Sequence, residues 1–548
     1  MKQSIDNSFA NATLTNLCLS SSDLYNEKQA FAMICGDEVI NRVTYAQMGE
    51  RAKNIASLIK NLGIENGARI ILLSENCPAW PITYFGIALA GAVSVPLLTG
   101  FSYEQIQNIA DHCEAGAVCI SRVMLEKYVN MQELPSFSKI PFIIIDNSAE
   151  DIKVINANVC EKTEILFDEA NALMRKADDL ATIIYTSGTQ GSSKGVMLSG
   201  KNIISSALSS LSYVKLFPHD RLLSVLPLAH SYECGLGLIA PVICGSSVTY
   251  LDKPPSPSVL LPALKMIRPT VMISVPLLIE KIYNNSIAPK LNKSKLYKFP
   301  VTRNLAIRAA GRKLFSALGG CIRFFGIGGA PLSPEVENFL YKAKFPYSIG
   351  YGLTEASPLV AGNAPRRFSL RSGISAAKNV MLRIVKYFEN AASGEGEIQV
   401  KGPNVMMGYL NDEEKTNEAI TCDGWLRTGD FGRIDKKGRL HILGRIKALI
   451  LGPSGENIYP EEIEGLLGSS GLIEESLVYS GKKGELIALV RLSDAAKTAA
   501  GVVEHALEDL RLWANKKLSA FSRLSKIEIK YEPFEKTPTM KIKRYLYV

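Results

Sequence analysis

Between Thr44 and Leu98 the sequence passes twice from a helical pattern into a short run of branched apolar residues. The segment TYAQMGERAKNIASLIKNLGI (residues 44–64) repeats apolar residues at helical spacing, and ARIILLSEN (68–76) is then typical of a buried strand. In PITYFGIALAGAVSVPLL (81–98) we predict a buried helix followed by a strand, in preference to a membrane span. This alternation predicts an α/β fold of helices on mainly parallel sheets.

The alternation of helix and strand patterns returns at TVMISVP (residues 270–276) and IRFFGIGG (322–329). After Glu395 the sequence pattern changes. Short strands with Gly and Lys at the turns there predict a β-rich subdomain, and helix and strand patterns mix from Tyr459 onward. A chain of 548 residues is too long for one core. We therefore predict a large N-terminal domain of stacked, mainly parallel sheets with helices.

The expected domain bounds are residues 1–446 for the large domain, with its β-rich subdomain at about 370–446, and 447–548 for a small, mobile α+β domain. The composition, with 47% hydrophobic and 21% charged residues, is that of a globular protein. A net charge of +9 favours anionic partners in general, and no recognition motif points to nucleic acid. Ten scattered cysteines without a C-x-x-C pair and a polar start predict free thiols in a cytoplasmic protein.

The loop in IIYTSGTQGSSKGVML (residues 183–198) separates two apolar runs with small and hydroxylated residues, and Lys194 ends it. Such a loop can hold phosphate, because glycines let backbone N–H groups approach the anion and the lysine adds charge. It is not a Walker loop, which would need Gly at position 193 and Ser or Thr at position 195. A flexible surface turn is the alternative interpretation.

Four further motifs carry polar residues next to predicted strands or turns. GIGGAPL (residues 326–332) opens a glycine turn, and Pro331 excludes the dinucleotide fingerprint. GYGLTEASP (350–358) could bind a phosphate and its Mg²⁺ or simply cap a helix. DGWLRTGDFG (423–432) could accept hydrogen bonds from ribose hydroxyls or simply form a turn. TPTMKIKR (537–544) could be a frayed basic tail.

Taken in order, these motifs resemble the adenylate-forming (AMP-binding) superfamily of acyl-CoA synthetases, adenylation domains and luciferases. The resemblance runs from TYAQMGERA to KTPTMKIKR and so covers nearly the whole chain. Within the superfamily the chain is most similar to long-chain fatty acyl-CoA synthetases of bacterial type. RPTVMISVPLLIEKIYN, GPNVMMGYLNDEEKT and SGENIYPEEIE carry that closer similarity.

The resemblance implies a role for individual residues of each motif. The loop around the β- and γ-phosphates would comprise Thr186, Ser187, Gly188, Thr189, Gly191 and Lys194. The adenine pocket would comprise Gly328, Gly329, Ala330, Tyr351 and Gly352, with Tyr351 stacked on the ring. The remaining roles are Thr354 at the α-phosphate, Glu355 on Mg²⁺, Asp430 on the ribose with Arg445 beside it, and His230 by the acyl pocket. A lone histidine in an apolar run is more often a core residue.

The implied reaction activates a carboxylic acid in two steps. The carboxylate attacks the α-phosphorus of ATP, and Lys541, Lys194 and Mg²⁺ stabilise the charge that builds up. CoA then supplies the thiol that takes the acyl group, after the small domain turns about a hinge at Lys447 and withdraws Lys541. An acyl carrier protein could supply the thiol instead, and a catalytically silent nucleotide and fatty-acid scaffold is a lower alternative.

The acid is expected to be a fatty acid. Enzymes for α-amino acids place an Asp after the LPL segment, whereas HSYECGLGLIAP has none and an unpaired buried ammonium is costly. The small apolar residues of CGLGLIAPVICG suit a hydrocarbon tunnel. The chain departs from the family pattern at Gln190, Ser193, Leu277 and Met540.

One long segment is basic throughout. No acidic residue lies between Glu280 and Glu335. The cations of this segment are Lys281, Lys290, Lys293, Lys295, Lys298, Arg303, Arg308, Arg312, Lys313 and Arg323. Such a basic run can bind an anionic membrane, and the protein would then lie on the inner face of that membrane. It can also bind an acidic carrier protein or the phosphates of CoA. A solvated basic face is the plain alternative.

Overall fold

The computed structural model describes fourteen stretches of the chain. They are residues 13–128, 131, 136–147, 149–150, 152–155, 167–186, 194–388, 393–451, 457–468, 470–481, 484–493, 496, 503–537 and 542–547. Five of the predicted site residues lie outside these stretches, namely Ser187, Gly188, Thr189, Gly191 and Lys541. Gln190, Ser193 and Met540 lie outside them as well.

The long helix Tyr45–Asn61 buries one face, whereas Ala79–Leu89 is buried on nearly all sides and Glu413–Ala419 buries no residue. The bounds of the helices are Leu14–Tyr25, Tyr45–Asn61, Ala79–Leu89, Tyr103–His112, Arg122–Lys127, Glu169–Leu173, Gly200–Ser210, Ala240–Cys244, Pro257–Ile267, Pro276–Ile282, Ala288–Lys293, Lys295–Lys298, Pro300–Ala317, Pro334–Lys342, Glu413–Ala419, Pro460–Gly468 and Val503–Asn515. Two π-helical stretches, Glu233–Ile239 and Tyr283–Ile287, connect neighbouring helices.

Local chemistry fixes where several of these helices begin. The Thr44 hydroxyl accepts a hydrogen bond from the backbone N–H of Gln47, and the Gln47 side chain accepts one from the backbone N–H of Thr44. This capping box satisfies two backbone donors that the first helical turn leaves open. Ser102 and Gln105 form the same arrangement at the start of Tyr103–His112.

Two large sheets form the main body of the structure. One has eight strands, in spatial order Gly408–Tyr409, Lys194–Ser199, Leu180–Thr186, Val93–Leu97, Arg69–Leu73, Ala115–Ser121, Phe142–Ile145 and Ile152–Ile155. The other has nine, in spatial order Ser375–Ala376, Leu359–Gly362, Tyr347–Gly352, Phe324–Ile327, Val271–Ser274, Arg221–Leu223, Ser247–Leu251, Gln29–Cys35 and Glu38–Thr44. Both are parallel in the centre and antiparallel at the margins.

Three smaller sheets follow in the second half of the chain. An antiparallel sheet contains Met381–Val385, Glu395–Lys401, Leu426–Ile434 and Leu440–Arg445. A strand pair joins Ile450–Leu451 to Asn457–Ile458, and a three-stranded sheet contains Ile473–Ser480, Leu486–Leu492 and Lys526–Ile529. The four-stranded antiparallel sheet lies between residues 381 and 445, in the part of the chain where short strands were predicted.

The largest apolar core includes the helices Tyr45–Asn61 and Ala79–Leu89, which pack on each other. Trp80 and Tyr84 are fully buried there and stack with ring centroids 5.3 Å apart. A separate apolar cluster gathers Ile458, Leu467, Val490 and other residues of the tail, so the tail buries its own hydrophobic surface.

The α/β fold with its parallel sheet centres is confirmed. The apolar run at 81–98 forms most of the helix Ala79–Leu89 and then the strand Val93–Leu97, as predicted. None of the helices in the described stretches is both long and apolar enough to cross a membrane. The nine cysteines in these stretches are all free thiols.

Candidate active site

A single cleft of about 3110 Å³ extends from the ends of the central strands to the C-terminal tail. It is lined by every predicted site residue that the structure describes. These are Thr186, Lys194, His230, Gly328, Gly329, Ala330, Tyr351, Gly352, Thr354, Glu355, Asp430, Arg445 and Lys447. Residues from motifs more than 250 positions apart are thus brought to one place.

Sheet geometry explains why two of the glycine motifs meet. The strands Phe324–Ile327 and Tyr347–Gly352 are parallel neighbours, with Phe325 opposite Tyr347. The carboxyl ends of parallel strands lie at the same edge of a sheet, where α/β proteins commonly bind their ligands. The turn that begins at Gly328 and the segment that follows Gly352 therefore lie side by side.

The turn after Gly352 places the next two side chains at the cleft. The backbone N–H of Leu353 donates to the Pro358 carbonyl at 3.0 Å, and Thr354–Ala356 forms a short 3₁₀ turn between them. A Cβ atom at Gly352 would lie 1.9 Å from the Pro358 carbonyl oxygen, so the backbone can close here only with glycine. The closure holds Thr354 and Glu355 against the cleft.

Asp430 is held between two of the other predicted nucleotide residues. The Tyr351 hydroxyl donates to Asp430 Oδ2 at 2.5 Å, and Arg445 Nε lies 2.9 Å from Oδ1. Strand register explains the second contact, since Asp430 and Arg445 are directly opposed on antiparallel strands. The Asp430 side chain is only 6% exposed, and these two partners satisfy its buried oxygens.

Tyr351 keeps its proton in this arrangement. Burial of the phenol raises its pKa well above the usual range, and the charge of Asp430 and the hydrogen bond to it raise it further. Tyr351 therefore acts as a donor to Asp430 at any ordinary pH. The geometry therefore fixes the orientation of the Asp430 carboxyl group in the cleft wall.

Tyr409 joins the two ends of the predicted phosphate site. Its hydroxyl donates to Glu355 Oε1 at 3.0 Å, and Lys194 Nζ lies over its ring, 4.7 Å from the centroid. The strand Gly408–Tyr409 pairs with Lys194–Ser199, which brings the ring to the lysine. Burial, with the nearby Glu355 charge, raises the pKa of Tyr409 well above its usual range. The sequence reasoning missed Tyr409, although it lies in the quoted motif GPNVMMGYLNDEEKT.

His230 lies on the same wall of the cleft as Thr354. The Ser231 hydroxyl donates to Thr354 Oγ1 at 3.3 Å, which links the two motifs directly. The backbone N–H of Tyr232 donates to His230 Nδ1 at 3.2 Å and holds the ring in place. His230 is therefore a wall residue of the cleft and not a residue of the closed core.

Six apolar residues of the cleft wall belong to the largest apolar core or pack against it, and we call them the apolar arm. They are Tyr213, Val214, Leu236, Ala240, Ile273 and Phe324. Leu236 lies in the π-helical stretch Glu233–Ile239, which contains two of the glycines noted in the sequence. All six residues line the same cleft as Thr354 and Glu355.

Glu233 is a second residue that the sequence reasoning missed. It follows Tyr232 in the cleft wall but is itself fully buried, and its Oε1 accepts from the Ser224 hydroxyl at 2.6 Å. A Cβ at Gly237 would lie 2.6 Å from the Glu233 carboxyl carbon, so that glycine leaves room for the carboxyl group. Burial raises the pKa of Glu233 from 4.5 to about 8, and the Ser224 hydrogen bond partly offsets this.

Glu233 does not take the place of the Asp that enzymes for α-amino acids use to bind the substrate amine. It is not among the residues that line the cleft, and at neutral pH its raised pKa keeps it largely uncharged. The only sequence signal for it was a single acidic residue inside an otherwise apolar run.

Known proteins are similar to this chain over most of its length. The model of the family described as AMP-binding enzyme matches residues 22–410. The long chain acyl-CoA synthetase 6 of Arabidopsis thaliana is 30% identical and aligns with 92% of this chain and 79% of its own. The long-chain-fatty-acid–CoA ligase FadD15 of Mycobacterium tuberculosis is 29% identical, with 93% and 90% covered.

Solved structures share the fold. The O-succinylbenzoate coenzyme A synthetase MenE of Bacillus subtilis, solved in complex with ATP and magnesium ion, superposes with a TM-score of 0.73. The match covers 97% of this chain and 98% of that one, at 24% sequence identity. At this identity the similarity shows the architecture of the chain.

The buried Glu233 makes a testable contribution to the pH dependence of stability. In the folded protein it holds its proton up to about pH 8, whereas the unfolded chain releases it near pH 4.5. Between these values the folded state binds the extra proton, so its stability falls as pH rises, by about 1.4 kcal/mol per pH unit. We expect Glu233→Gln to flatten the fall of the thermal midpoint between about pH 5 and about pH 8.

Glu126→Gln, at an exposed position, is the matched control and should keep the wild-type profile. Calorimetric scans across this pH range measure both variants and the wild type. Identical slopes for wild type and Glu233→Gln would contradict the protonated, buried carboxyl group.

Tyr409→Phe removes the donor to Glu355 and keeps the ring beside Lys194. Because a hydrogen bond to a charged acceptor contributes on the order of 1.5 kcal/mol, we expect about tenfold weaker binding of ATP with Mg²⁺. Isothermal titration calorimetry measures the change, and Tyr531→Phe, at a residue 81% exposed, is the control. Unchanged affinity in Tyr409→Phe would show that Glu355 needs no support from this hydroxyl.

Proposed function

The chain belongs to the family of AMP-binding enzymes, and from this premise we propose that it is an AMP-forming acid–thiol ligase for long-chain fatty acids. The observation that carries the proposal is one cleft whose wall combines an Asp430 clamp, a Glu355–Tyr409–Lys194 group and the apolar arm. These three parts suit a ribose, a triphosphate and a hydrocarbon chain. The expected products are acyl-CoA, AMP and pyrophosphate.

Two displacement steps account for these products. In the first, an oxygen of the fatty-acid carboxylate bonds to the α-phosphorus of ATP, and the bond from that phosphorus to the β-bridging oxygen breaks. Pyrophosphate leaves and an acyl-adenylate remains. In the second, the thiol sulfur of CoA bonds to the acyl carbon, AMP leaves with the electron pair, and the thiol proton is released.

The Asp430 clamp supports the nucleoside end of this assignment. Ribose hydroxyls are donors, and the carboxylate of Asp430 is an acceptor that Tyr351 and Arg445 hold in a fixed orientation. We place the adenine between the ring of Tyr351 and the turn at Gly328–Ala330, which the same cleft exposes. A preformed acceptor lowers the ordering cost of binding the sugar.

The Glu355–Tyr409–Lys194 group supports the assignment of the triphosphate. Thr186 and Lys194 flank the predicted phosphate loop, and we propose that Ser187, Gly188, Thr189 and Gly191 complete it. Thr354, bonded to Ser231, faces the expected α-phosphate. Cations directed at the charge of a phosphoryl transition state stabilise it with little reorganisation, and Lys194 and Lys541 fill that role.

Mg²⁺ suits the carboxylate of Glu355. In the described residues no three His, Cys, Asp or Glu side chains are grouped around a common metal position. Mg²⁺ commonly takes only one or two protein carboxylates and completes its shell with substrate phosphates and water. Glu355 fits this role because its carboxylate and Lys194 both lie against Tyr409 in the cleft. When bound, it neutralises phosphate charge and polarises the phosphoryl oxygens.

The apolar arm supports a hydrocarbon substrate. None of Tyr213, Val214, Leu236, Ala240, Ile273 and Phe324 carries a charge that would pair with a polar acid. The relatives named above are long-chain acyl-CoA synthetases or ligases, which favours a long chain and favours CoA over an acyl carrier protein as acceptor.

A domain boundary at residues 446 and 447 fits this reaction. Lys447 lies in the short 3₁₀ turn Ile446–Ala448 between the four-stranded sheet and the next strand pair, and the tail beyond has its own apolar cluster. Arg544 forms an ion pair with Glu464 in the helix Pro460–Gly468. This contact ties the segment that carries Lys541 to the tail, so rotation about Lys447 would move Lys541 with it.

Pyrophosphate release with a panel of carboxylic acids of different length and polarity tests the function. We expect release that requires ATP, Mg²⁺ and a long-chain fatty acid, and thioester formation when CoA is added. A carrier protein bearing phosphopantetheine serves as the competing acceptor. Release with α-amino acids alone would contradict the fatty-acid assignment, and no release with any acid would favour the silent scaffold.

Lys541→Ala separates the two half reactions. Because Lys541 is assigned to the charge of the first step only, we expect adenylate formation to fall at least about a hundredfold. Thioester formation from supplied acyl-adenylate and CoA should change little. Rapid-quench assays of each half measure this, with Lys526→Ala, at an exposed lysine of the same tail, as control. Equal losses in both halves would contradict the role.

A further inference from the structure

A chain of side-chain hydrogen bonds next to the cleft joins the two large sheets. Asn76 lies after the strand Arg69–Leu73 of the eight-stranded sheet, and Ser224 follows the strand Arg221–Leu223 of the nine-stranded sheet. The Asn76 amide donates to the Ser224 hydroxyl at 3.2 Å, and that hydroxyl donates to Glu233 Oε1 at 2.6 Å. We call Asn76, Ser224 and Glu233 the polar bridge.

The polar bridge holds a loop whose residues form cleft wall. We call residues 225–232 the wall loop, and Ser224 and Glu233 enclose it. The wall-loop residues that line the cleft are Leu226, Pro227, Ala229, His230, Ser231 and Tyr232. Asn76 also bonds the loop directly, since its amide donates to the Leu226 carbonyl at 2.6 Å and its oxygen accepts from the backbone N–H of Leu228 at 2.9 Å. The loop is thus tied at both ends and in its middle.

The wall loop contacts both turns of the proposed nucleotide site. The Ser231 hydroxyl donates to Thr354 Oγ1 at 3.3 Å. A Cβ atom at Gly328 would lie 3.3 Å from the hydroxyl oxygen of Tyr232, so this tyrosine lies directly against the glycine turn. The position of the wall loop therefore determines how His230, Thr354 and the glycine turn are arranged around a substrate.

Glu233 is a costly residue for a position with no role beyond packing. Its side chain is fully buried, and among the described residues its Oε2 has no hydrogen-bond partner. An apolar side chain of similar size would fill this space without the cost of burying a polar group. A buried carboxyl group with a raised pKa beside a cleft is typical of a functional site.

The titratable groups that face the Glu233 carboxyl group are neutral at ordinary pH. They are Tyr232, Cys234 and Tyr250, and next to these Tyr45, Cys77 and Tyr84. Burial raises the pKa of each of them, and the Glu233 charge raises the pKa of the first three further. In the described stretches no cation is close enough to lower the pKa of Glu233, so ionisation above about pH 8 creates a charge without a counterion.

We propose that Glu233 is a positioning residue, which acts through Ser224 and Asn76 to hold the wall loop and His230 in place for adenylation of the acid. The proposal rests on the proposed function for the reaction that the loop serves. The uncharged carboxyl group keeps the polar bridge closed, and its ionisation releases the loop.

Hydrogen exchange of the full chain, followed by mass spectrometry, tests the polar bridge without any substrate. The backbone amides of Leu228, His230 and Cys234 are hydrogen-bonded and report on the wall loop. We expect their protection from exchange to fall about tenfold in Asn76→Ala, which removes the partner of two backbone groups of the loop. Asn54→Ala, at an exposed asparagine, is the control and should exchange as the wild type does.

The pH dependence of exchange isolates Glu233. Between about pH 8 and about pH 9 the protonated fraction of this carboxyl group falls about fivefold. We expect the protection of the wall loop in the wild type, corrected for the intrinsic exchange rate, to fall by a similar factor. Glu233→Gln keeps an acceptor for Ser224 and cannot ionise, so its protection should stay constant, whereas the exposed Glu126→Gln should follow the wild type.

Three outcomes of the exchange experiment would overturn the proposal. The first is the same pH profile for the wild type and Glu233→Gln. The second is unchanged protection of the wall loop in Asn76→Ala. The third is a loss of protection in that variant that is as large in residues 381–445 as in the wall loop, since this would report general unfolding.

Pyrophosphate release connects the polar bridge to the reaction. With a long-chain fatty acid, ATP and Mg²⁺, we expect the kcat/KM of the wild type for the acid to fall between about pH 8 and about pH 9 relative to that of Glu233→Gln. Asn76→Ala should lose about tenfold in kcat/KM at neutral pH, because a displaced wall loop misplaces the reacting groups. Asn54→Ala should keep the wild-type value.

A role in stability alone would lower the thermal midpoint of the bridge variants and leave the pH profile of kcat/KM equal in the wild type and Glu233→Gln. That result would overturn the positioning role. Absence of pyrophosphate release in the wild type with every acid would contradict the proposed function instead, and the exchange experiment would still decide whether the polar bridge holds the wall loop.

Discussion

The buried carboxylate of Asp430 is the interaction on which the rest of the cleft depends. Its two partners come from different sheets, Tyr351 from the end of a central strand and Arg445 from the antiparallel sheet. A buried charge without partners costs several kcal/mol, so the pairing fixes how the two sheets meet. The floor of the cleft is thereby set before any ligand binds, and Lys447 follows Arg445 directly at the edge of this fixed part.

A tyrosine also holds the charged side chains of the proposed phosphate site. Glu355 and Lys194 carry opposite charges and approach one ring, Tyr409, which orients the carboxylate and leaves the ammonium beside it. Binding of a triphosphate with Mg²⁺ needs a carboxylate for the metal and a cation for the phosphates. The apolar arm lines the same cleft, so one cavity combines the three kinds of surface that a sugar, a triphosphate and a hydrocarbon chain require.

Local sequence patterns predict much of the fold and part of the candidate site. Glycine turns at strand ends, the capping box at Thr44 and the alternation of helix and strand are encoded within short segments, and the structure has them. Tyr409 and Glu355 are 54 residues apart, and no local pattern pairs them. Glu233 was missed because burial, not spacing, decides its protonation. The basic run was visible in the sequence, but which side chains of the helix Pro300–Ala317 are buried depends on the core that it packs against.

A crystal structure with a nonhydrolysable ATP analogue and Mg²⁺ tests the central claim most directly. The account predicts the ribose hydroxyls within hydrogen-bond distance of the Asp430 carboxylate, with the phosphates extending toward Lys194 and the metal at Glu355. A nucleotide bound elsewhere, or bound in the cleft with its ribose turned away from Asp430, would contradict it.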